Sequence, residues 1–362
     1  MKFLVRISIA IVIGLLIFLV WPSPIDSRAF HSGPLPELTG PLAPNRLLEA
    51  CQLISVGQVV HADKLLVDER GRLYAGDETG RILRLTPDDR GGYSLEVYAE
   101  PGGRPMELDF DPDGNLVVAD LHGSHFLIDG SRKSRRLPTL EGLPLGTAGV
   151  AVARDGVIYY GAHTERSPGS EQVQAFMSML AAHRSSELRA FDPRTGEVRT
   201  LVDGLLVPVG VELSAREDFV AVAEFFAYRV TRYWLAGPRA GTADRLVENL
   251  PGVVDGLASD GKGTFYLTMP GYRTPALDWM HEHPWVKNQL AKLLPLLLRM
   301  GLTPGTTPGV VLALDESGRI LRSFQDPEHK VVGSVTAAEY HAGDLYLTSI
   351  TGDWIARCPV EP

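Results

Sequence analysis

A chain of 362 residues with 44% hydrophobic content can build one large domain or two of average size. Its formal net charge is −9, and no basic block or basic stripe interleaved with aromatics runs along it. That excludes the electrostatic footprint of a nucleic-acid binder.

The chain begins MKFLVRISIAIVIGLLIFLVW, in which Lys2 and Arg6 precede an uncharged apolar run from Ile7 to Trp21. With Leu4 and Val5 the run approaches the roughly 20 residues of a membrane-spanning helix. Trp21 stands where an interfacial aromatic belongs. No A-x-A cleavage site follows, so residues 1–21 read as a retained signal anchor rather than a cleaved signal peptide. The positive flank predicts a cytoplasmic N-terminus, with everything after Pro22 on the non-cytoplasmic side, whether periplasmic, lumenal or extracellular. Residues 22–45 are rich in Pro and Gly and read as a semi-extended tether.

From about residue 46 a repeat takes over: an apolar run, a turn such as DERGR, DPDGN or ARDGV, then LYAGD, LVVAD or IYYGA, and often a third strand. Gly in an acidic turn between alternating apolar segments is a hairpin signal, because Gly tolerates the positive φ that the turn demands. Openings fall near 63, 106, 148, 209, 255 and 335. Copies spaced by roughly 40 residues or more, each with three or four strands, predict an all-β fold, a six-bladed β-propeller over 46–362. A β-sandwich also has regularly spaced strands but would not repeat the same turn chemistry at the same offset six times. Stretched spacings mark helical insertions at about 165–186 and 272–308. In the first, Phe176, Met177 and Leu180 recur at helical period; in the second, Val286, Leu290, Leu293, Leu294 and Leu297 do, with Pro295 expected to kink or end the helix. These insertions are read as a lid over the funnel, a membrane-surface contact, or helices packed as plain core. A lid or a membrane contact would imply an apolar or amphipathic ligand.

In a propeller the innermost strand of each blade starts beside the central channel, so the residues opening the repeats share one funnel. Counting from the turn Gly places Asp63, Met106, Ala148, Val209, Asp255 and Val335, adjoined by Thr336, in that ring. His61 and Lys64 flank Asp63; a His beside a carboxylate is a candidate general base, the alternative being a strand cap with a solvated lysine. Glu107 is expected to turn away from the channel or onto its wall, with a buried salt bridge to Arg104 as the favoured reading. Glu224 and His163 are expected to pin neighbouring blades. HEH at 281–283 lacks the i, i+4 spacing of a helical zinc pair.

The stretches FDPRTGEVRTLVDGL, VAEFFAYRVTRYWLAGPRAGTADRLVENLPG and LDWMHEHPWVKNQLAKLL, in that order, resemble the strictosidine synthase-like propellers. Within them the likeness is to the branch of the adipocyte plasma-membrane-associated proteins, related to regucalcin, gluconolactonases and paraoxonases. It covers about residues 45–360. Members that use calcium place a Glu, two or more Asn and an Asp in the ring; here Asp63 and Asp255 stand at the acidic positions. Ala148, Val209 and Gly256 stand where the Asn residues would be. The resemblance therefore implies a depleted metal site, with no cofactor or weakly bound calcium, and removes support for calcium-dependent lactonase or esterase chemistry. The glutamate of the plant synthases' Pictet-Spengler condensation corresponds to Thr336, with Glu339 off the count, so that reaction is not expected. Paraoxonase-like relatives join their ends by a disulfide, which implies a Cys51–Cys358 bond in an oxidising compartment; two unrelated buried thiols are the alternative. Two functions stay open. One is a membrane-anchored hydrolase of hydrophobic esters or lactones, with Asp63, Asp255 and His61 as catalytic residues and Met106, Ala148, Val209 and Thr336 lining the substrate funnel. The other is a ligand-binding or scaffold propeller without chemistry.

Overall fold

Three of the acidic-Gly turns close their hairpins in the same way. In DERGR the Asp68 carboxylate accepts hydrogen bonds from the amides of Arg70 and Arg72, both 2.9 Å, while Gly71 takes φ +71°. Asp111 does the same for Asp113 and Asn115, with Gly114 at φ +79°. Asp315 does so for Ser317 and Arg319, with Gly318 at +89°. An acceptor at the first position and a residue free to adopt positive φ at the fourth are what such a turn requires.

The computed structural model describes the backbone of residues 2–121, 123–138, 146–163, 171–300 and 306–361. Packing divides the chain into two compact units. One is helical (Met1–His31, Ser167–His183, Pro275–Thr303) and one is built of strands (Ser32–Arg166, Arg184–Thr274, Pro304–Pro362).

The strand unit is the expected six-bladed propeller. Blade one comprises Leu65–Val67, Leu73–Gly76, Ile82–Pro87 and Tyr93–Ala99; blade two Pro105–Phe110, Leu116–Asp120, Ser124–Ile128 and Ser134–Leu137. Blade three is Thr147–Val152, Ile158–Ala162, Ser186–Asp192 and Glu197–Leu205; blade four Pro208–Leu213, Phe219–Glu224, Arg229–Trp234 and Ala243–Val247. Blade five is Leu257–Ser259, Thr264–Thr268, Gly309–Asp315 and Ile320–Asp326. Blade six takes Ala337–His341, Asp344–Thr348 and Trp354–Pro359 from the end of the chain and its outermost strand, Gln52–Val56, from the beginning. That exchange closes the ring, and beside it Cys51 and Cys358 form a disulfide, Cα to Cα 4.2 Å. The core lies between blades: Leu65, Leu73, Ala75 and Leu83 of blade one pack with Tyr346 and Ile355 of blade six.

The helical unit holds α1 (Lys2–Val20), α2 (Glu171–Ala181), α3 (Pro275–Glu282) and α4 (Pro284–Arg299). In sequence α2 interrupts the connection between the second and third strands of blade three, and α3 and α4 interrupt the same connection of blade five. Met177 and Leu180 of α2 pack with Ala291, Leu294, Leu290 and Leu298 of α4. Two expectations need correcting. Helix α4 does not end at Pro295, which lies on its exposed side. Its buried stripe runs through Ala291, Leu294 and Leu298, so Leu293 is turned outward. Among the residues whose side chains are described, no helix is long and apolar enough to cross a membrane.

The Pro-rich stretch has little regular structure and is held at both ends. Within the helical unit the amide of Arg28 donates to the Ala181 carbonyl at 2.8 Å and Ser27 Oγ to that of Pro284 at 2.8 Å. Within the propeller, Asn45 Nδ2 donates to the Ser323 carbonyl at 3.0 Å and Arg273 to that of Gly33 at 2.9 Å.

Candidate functional site

The six inner strands touch one another in cyclic order, so residues at their starts converge on one axis. Met106, Ala148 and Val209 lie within the inner strands of blades two, three and four; Asp63, Asp255 and Thr336 just precede those of blades one, five and six. Backbone bonds between blades set the register. The amide of Gly210 donates to the Asp255 carbonyl at 3.3 Å and that of Gly256 to the Thr336 carbonyl at 2.9 Å. Asp255 and Thr336 are thus equivalent, and Thr336 rather than Val335 is the ring member of blade six. Val335 is fully buried in the core beside the disulfide.

The mouth of the channel is chemically divided. Blades five, six and one present Asp255, Thr336 and Asp63; blades two, three and four present Met106, Ala148 and Val209. The Thr336 hydroxyl donates to Asp63, 3.3 Å from its carbonyl oxygen, and accepts from the Ile350 amide at 3.1 Å. Burial raises the Asp63 carboxyl to about 6, against the pull of Arg104, Thr336 and Lys64. Burial also raises Asp255, and the charges of Asp63 and Glu107 push it further up. The charge on Asp63 thus opposes ionisation of Asp255.

Below the mouth the expected alternation fails, for a physical reason. The pairing of the first two strands of blade two slips between Pro105 and Glu107, a bulge centred on Met106. An extra residue in a strand swings its successor to the other side. Glu107 therefore enters the channel instead of turning to Arg104, and its Oε2 lies 3.4 Å from Lys64 Nζ. Lys64 is buried rather than solvated, and its ammonium also donates to the Leu257 carbonyl at 3.3 Å. Burial raises Glu107 to about 7 in spite of that partner, while the surrounding carboxylates keep Lys64 firmly protonated.

A third layer escaped the sequence count. Asp109, Glu212 and Glu339 lie on the inner strands of blades two, four and six, opposite Val117, Ala221 and Tyr346. Leu66, Ala151 and Ala258 hold the corresponding places in blades one, three and five. Glu339, set aside in the sequence as off the count, is thus a channel residue, three places beyond the mouth. These carboxyls line a cavity of about 250 Å³ together with Lys64 and Arg154. Burial raises Asp109 to about 6 and both Glu212 and Glu339 to about 8. The signal available in the sequence was the third residue after each opening, acidic in alternate blades.

His61 is not directed at Asp63. Its Nδ1 meets Glu78 Oε2 at 2.8 Å and its Nε2 lies 3.4 Å from Asp353 Oδ1. Glu78 in turn is 3.8 Å from Arg104, the cation whose charge bears most on Asp63. Glu224 accepts from the Leu206 amide at 2.9 Å, from Arg229 and from Thr231, tying the end of blade three to blade four. His163 donates its amide to Gly146, and burial lowers its imidazole to about 4.

The mouth does not fit a calcium shell, which needs six to eight oxygens at about 2.3–2.6 Å. Met106, Ala148 and Val209 carry no side-chain oxygen. A Cβ at Gly256 would overlap the Thr336 carbonyl oxygen, so no ligating side chain fits there. Arg104 and Lys64 already place positive charge beside Asp63. Among the described residues no group of three or more His, Cys, Asp or Glu is arranged to hold a metal ion.

Comparison with known proteins agrees with this framework. Residues 148–238 match the family model of strictosidine synthase and residues 40–85 that of the strictosidine synthase-like N-terminal region. The adipocyte plasma membrane-associated protein of Gallus gallus is 31% identical over 357 residues, spanning 93% of this chain and 85% of that protein. That of Bos taurus is 30% identical over 92% of this chain and 84% of that protein. The chain belongs to the strictosidine synthase-like family. Within the family it is also similar to strictosidine synthase-like 13 of Arabidopsis thaliana, 27% identical over 86% of this chain and 85% of that protein. Solved structures share the fold of this strictosidine synthase-like protein at low identity. A gluconolactonase from Xanthomonas campestris has TM-score 0.59 and 16% identity, over 94% of this chain and 99% of that one. Regucalcin, a calcium-binding protein from Agrobacterium tumefaciens, has TM-score 0.57 and 12% identity, over 85% and 93%.

Proposed function

We propose that this strictosidine synthase-like propeller is a membrane-anchored hydrolase of hydrophobic esters or lactones, working through Asp63 and Asp255 without a resident calcium ion. The observation that carries the reading is the divided mouth. A carboxyl pair beside a threonine faces an apolar wall of Met106, Ala148 and Val209, so an ester bond can meet the carboxyls while its hydrocarbon lies on the other half. In the half-protonated pair the ionised carboxyl takes a proton from water as the water oxygen bonds to the acyl carbon. The protonated one gives its proton to the departing alkoxide oxygen as the acyl–oxygen bond breaks, and the pair ends with the single proton it began with. Arg104 and Lys64 hold charge beside the developing oxyanion. His61 acts at a distance as a positioning residue, through Glu78 and Arg104. Any calcium that binds does so weakly, in the millimolar range known for loosely built sites.

Helix α1 supplies the anchor in this reading and the propeller lies on the non-cytoplasmic side, where the Cys51–Cys358 bond persists. The Gallus gallus and Bos taurus relatives, whose names place them at the plasma membrane, support the anchor. The second reading is a ligand-binding or scaffold propeller, favoured by Ala148, Val209 and Gly256, which carry no side-chain oxygen.

Assays of the purified full chain on aryl esters and long-chain lactones, with calcium and with chelator, separate the two. Chelator-resistant turnover that falls in Asp63→Asn and Asp255→Asn supports the hydrolase. Turnover abolished by chelator overturns the metal-free mechanism, and no turnover on any substrate leaves the binding reading.

A further inference from the structure

Helix α4 carries two apolar stripes. Successive residues of a helix are about 100° apart around its axis. Lys287, Leu290, Ala291, Leu294 and Leu298 fall on one side; Ala291, Leu294, Leu290 and Leu298 of that side pack against α2, and the Lys287 ammonium donates to the Arg28 carbonyl. Trp285, Leu293, Leu296 and Met300 fall within about 80° of arc on the opposite side, with Gln289 the one polar residue among them. They are exposed at 61%, 38%, 55% and 64% respectively. Trp279, at the end of α3, is 53% exposed as well. A helix that is apolar on both sides has a second apolar partner.

The surroundings of this stripe identify the partner as lipid. Lys292, on its edge, donates to the Phe18 carbonyl at 2.8 Å and lies over the Phe18 ring at 5.1 Å. The stripe is therefore continuous with the end of α1, where Val20 and Trp21 are 82% and 65% exposed. Lys292 and exposed Arg299 border it on one side, the cation placement that meets anionic headgroups, and Trp279 and Trp285 stand at its start. The 16 residues of α4 fall short of a span, so the helix lies along a surface.

We propose that α4 is a second membrane contact: it lies in the headgroup region of the leaflet through which α1 leaves the bilayer, with Trp285, Leu293, Leu296 and Met300 in contact with acyl chains. The proposal rests on the reading of α1 as an anchor, and its test separates the two. Both native cysteines are bonded, so single cysteines can be labelled. The full chain carrying Leu296→Cys, Leu16→Cys or Lys133→Cys is labelled with bimane and reconstituted in phosphatidylcholine vesicles containing some phosphatidylglycerol. It is then exposed to a nitroxide on the upper acyl chain or to iodide in the water. The Leu296 and Leu16 probes are expected to be quenched by the nitroxide and to respond to iodide at least about twofold less than the exposed Lys133 probe. If only the Leu16 probe meets the nitroxide, the anchor stands and the α4 contact is overturned. If neither does, both readings fall. A Leu296 probe shielded from both quenchers places protein on the stripe and overturns the proposal too.

Discussion

Lys64, just before the inner strand of blade one, and Glu107, within that of blade two, form a buried ion pair with Nζ and Oε2 3.4 Å apart. Around it the channel carries five further acidic side chains, Asp63, Asp109, Glu212, Asp255 and Glu339, whose charges reach Lys64 or Glu107. Removing the cation leaves Glu107 buried beside like charges. Lys64→Met is expected to cost about 3–5 kcal/mol in urea unfolding, the usual penalty for breaking a buried pair from one side. Glu107→Gln added to Lys64→Met should restore about 1–3 kcal/mol, since residues in contact are not additive. Strict additivity of the two changes would mean that the pair is not formed.

The same carboxyls set a pH dependence. Asp63 and Asp109 rise from 3.8 to about 6, Glu107 from 4.5 to about 7, and Glu212 and Glu339 from 4.5 to about 8. A carboxyl with a higher value folded than unfolded binds more protons in the folded state between the two values, so its contribution is full below the unfolded value and is lost as pH rises through the folded one. Thermal stability is therefore expected to fall from about pH 5 to pH 8. At lower pH Asp68 and Asp315 act in the opposite sense, because hydrogen bonds from their turns hold them below the usual range despite some burial. Glu212→Gln and Glu339→Gln should each flatten the alkaline fall and stabilise at pH 8, by roughly 1–2 kcal/mol after allowance for solvent in the channel. A melting temperature that climbs steadily from pH 5 to pH 8 would contradict this.

Gly256 marks a limit on re-engineering the mouth. Asparagines at Ala148 and Val209 restore amide oxygens, whereas a side chain at Gly256 overlaps the Thr336 carbonyl on the neighbouring blade. Gly210 is placed in the same way, a Cβ there falling 2.7 Å from the Asp255 carbonyl oxygen. Gly256→Asn is expected to destabilise by about 1–3 kcal/mol, as overpacking does. Calorimetry should find no gain in calcium affinity from it, alone or with Ala148→Asn and Val209→Asn. Micromolar binding by the triple variant would show that the inner strands yield.

The blades were legible because each is written locally. The Asp that accepts two amides and the Gly three places on recur in chain order, and the strands between them alternate. The mouth ring followed from the same ruler, apart from the choice between Val335 and Thr336, which depends on hydrogen bonds to the next blade. The layers below it were not legible. The bulge at Met106 changes which residues face inward, and nothing in PMELDF announces it. The direction of His61 was equally hidden, since Glu78 reaches it from the end of the second strand of blade one and Asp353 across the closure of blades one and six.

The disulfide tests that closure. Cys51 and Cys358 are 307 residues apart in sequence and join the blade assembled from both ends of the propeller. In the chain-entropy account the bond removes freedom from the unfolded chain, worth on the order of 5 kcal/mol for a loop this long before any native strain is subtracted. Around it Leu48, Val332, Val335 and Leu347 are buried in a shared cluster, so the reduced protein keeps an apolar seam beside the bond. Reduction should therefore lower the melting temperature while leaving the blades folded below it, and the first segment to lose amide protection should be Gln52–Val56. Cys51→Ser with Cys358→Ser should reproduce the effect without reductant. Hydrogen exchange read by mass spectrometry decides the matter. Protection lost evenly over all six blades would mean that the bond holds the whole ring, and unchanged melting on reduction would mean that the apolar seam alone closes it.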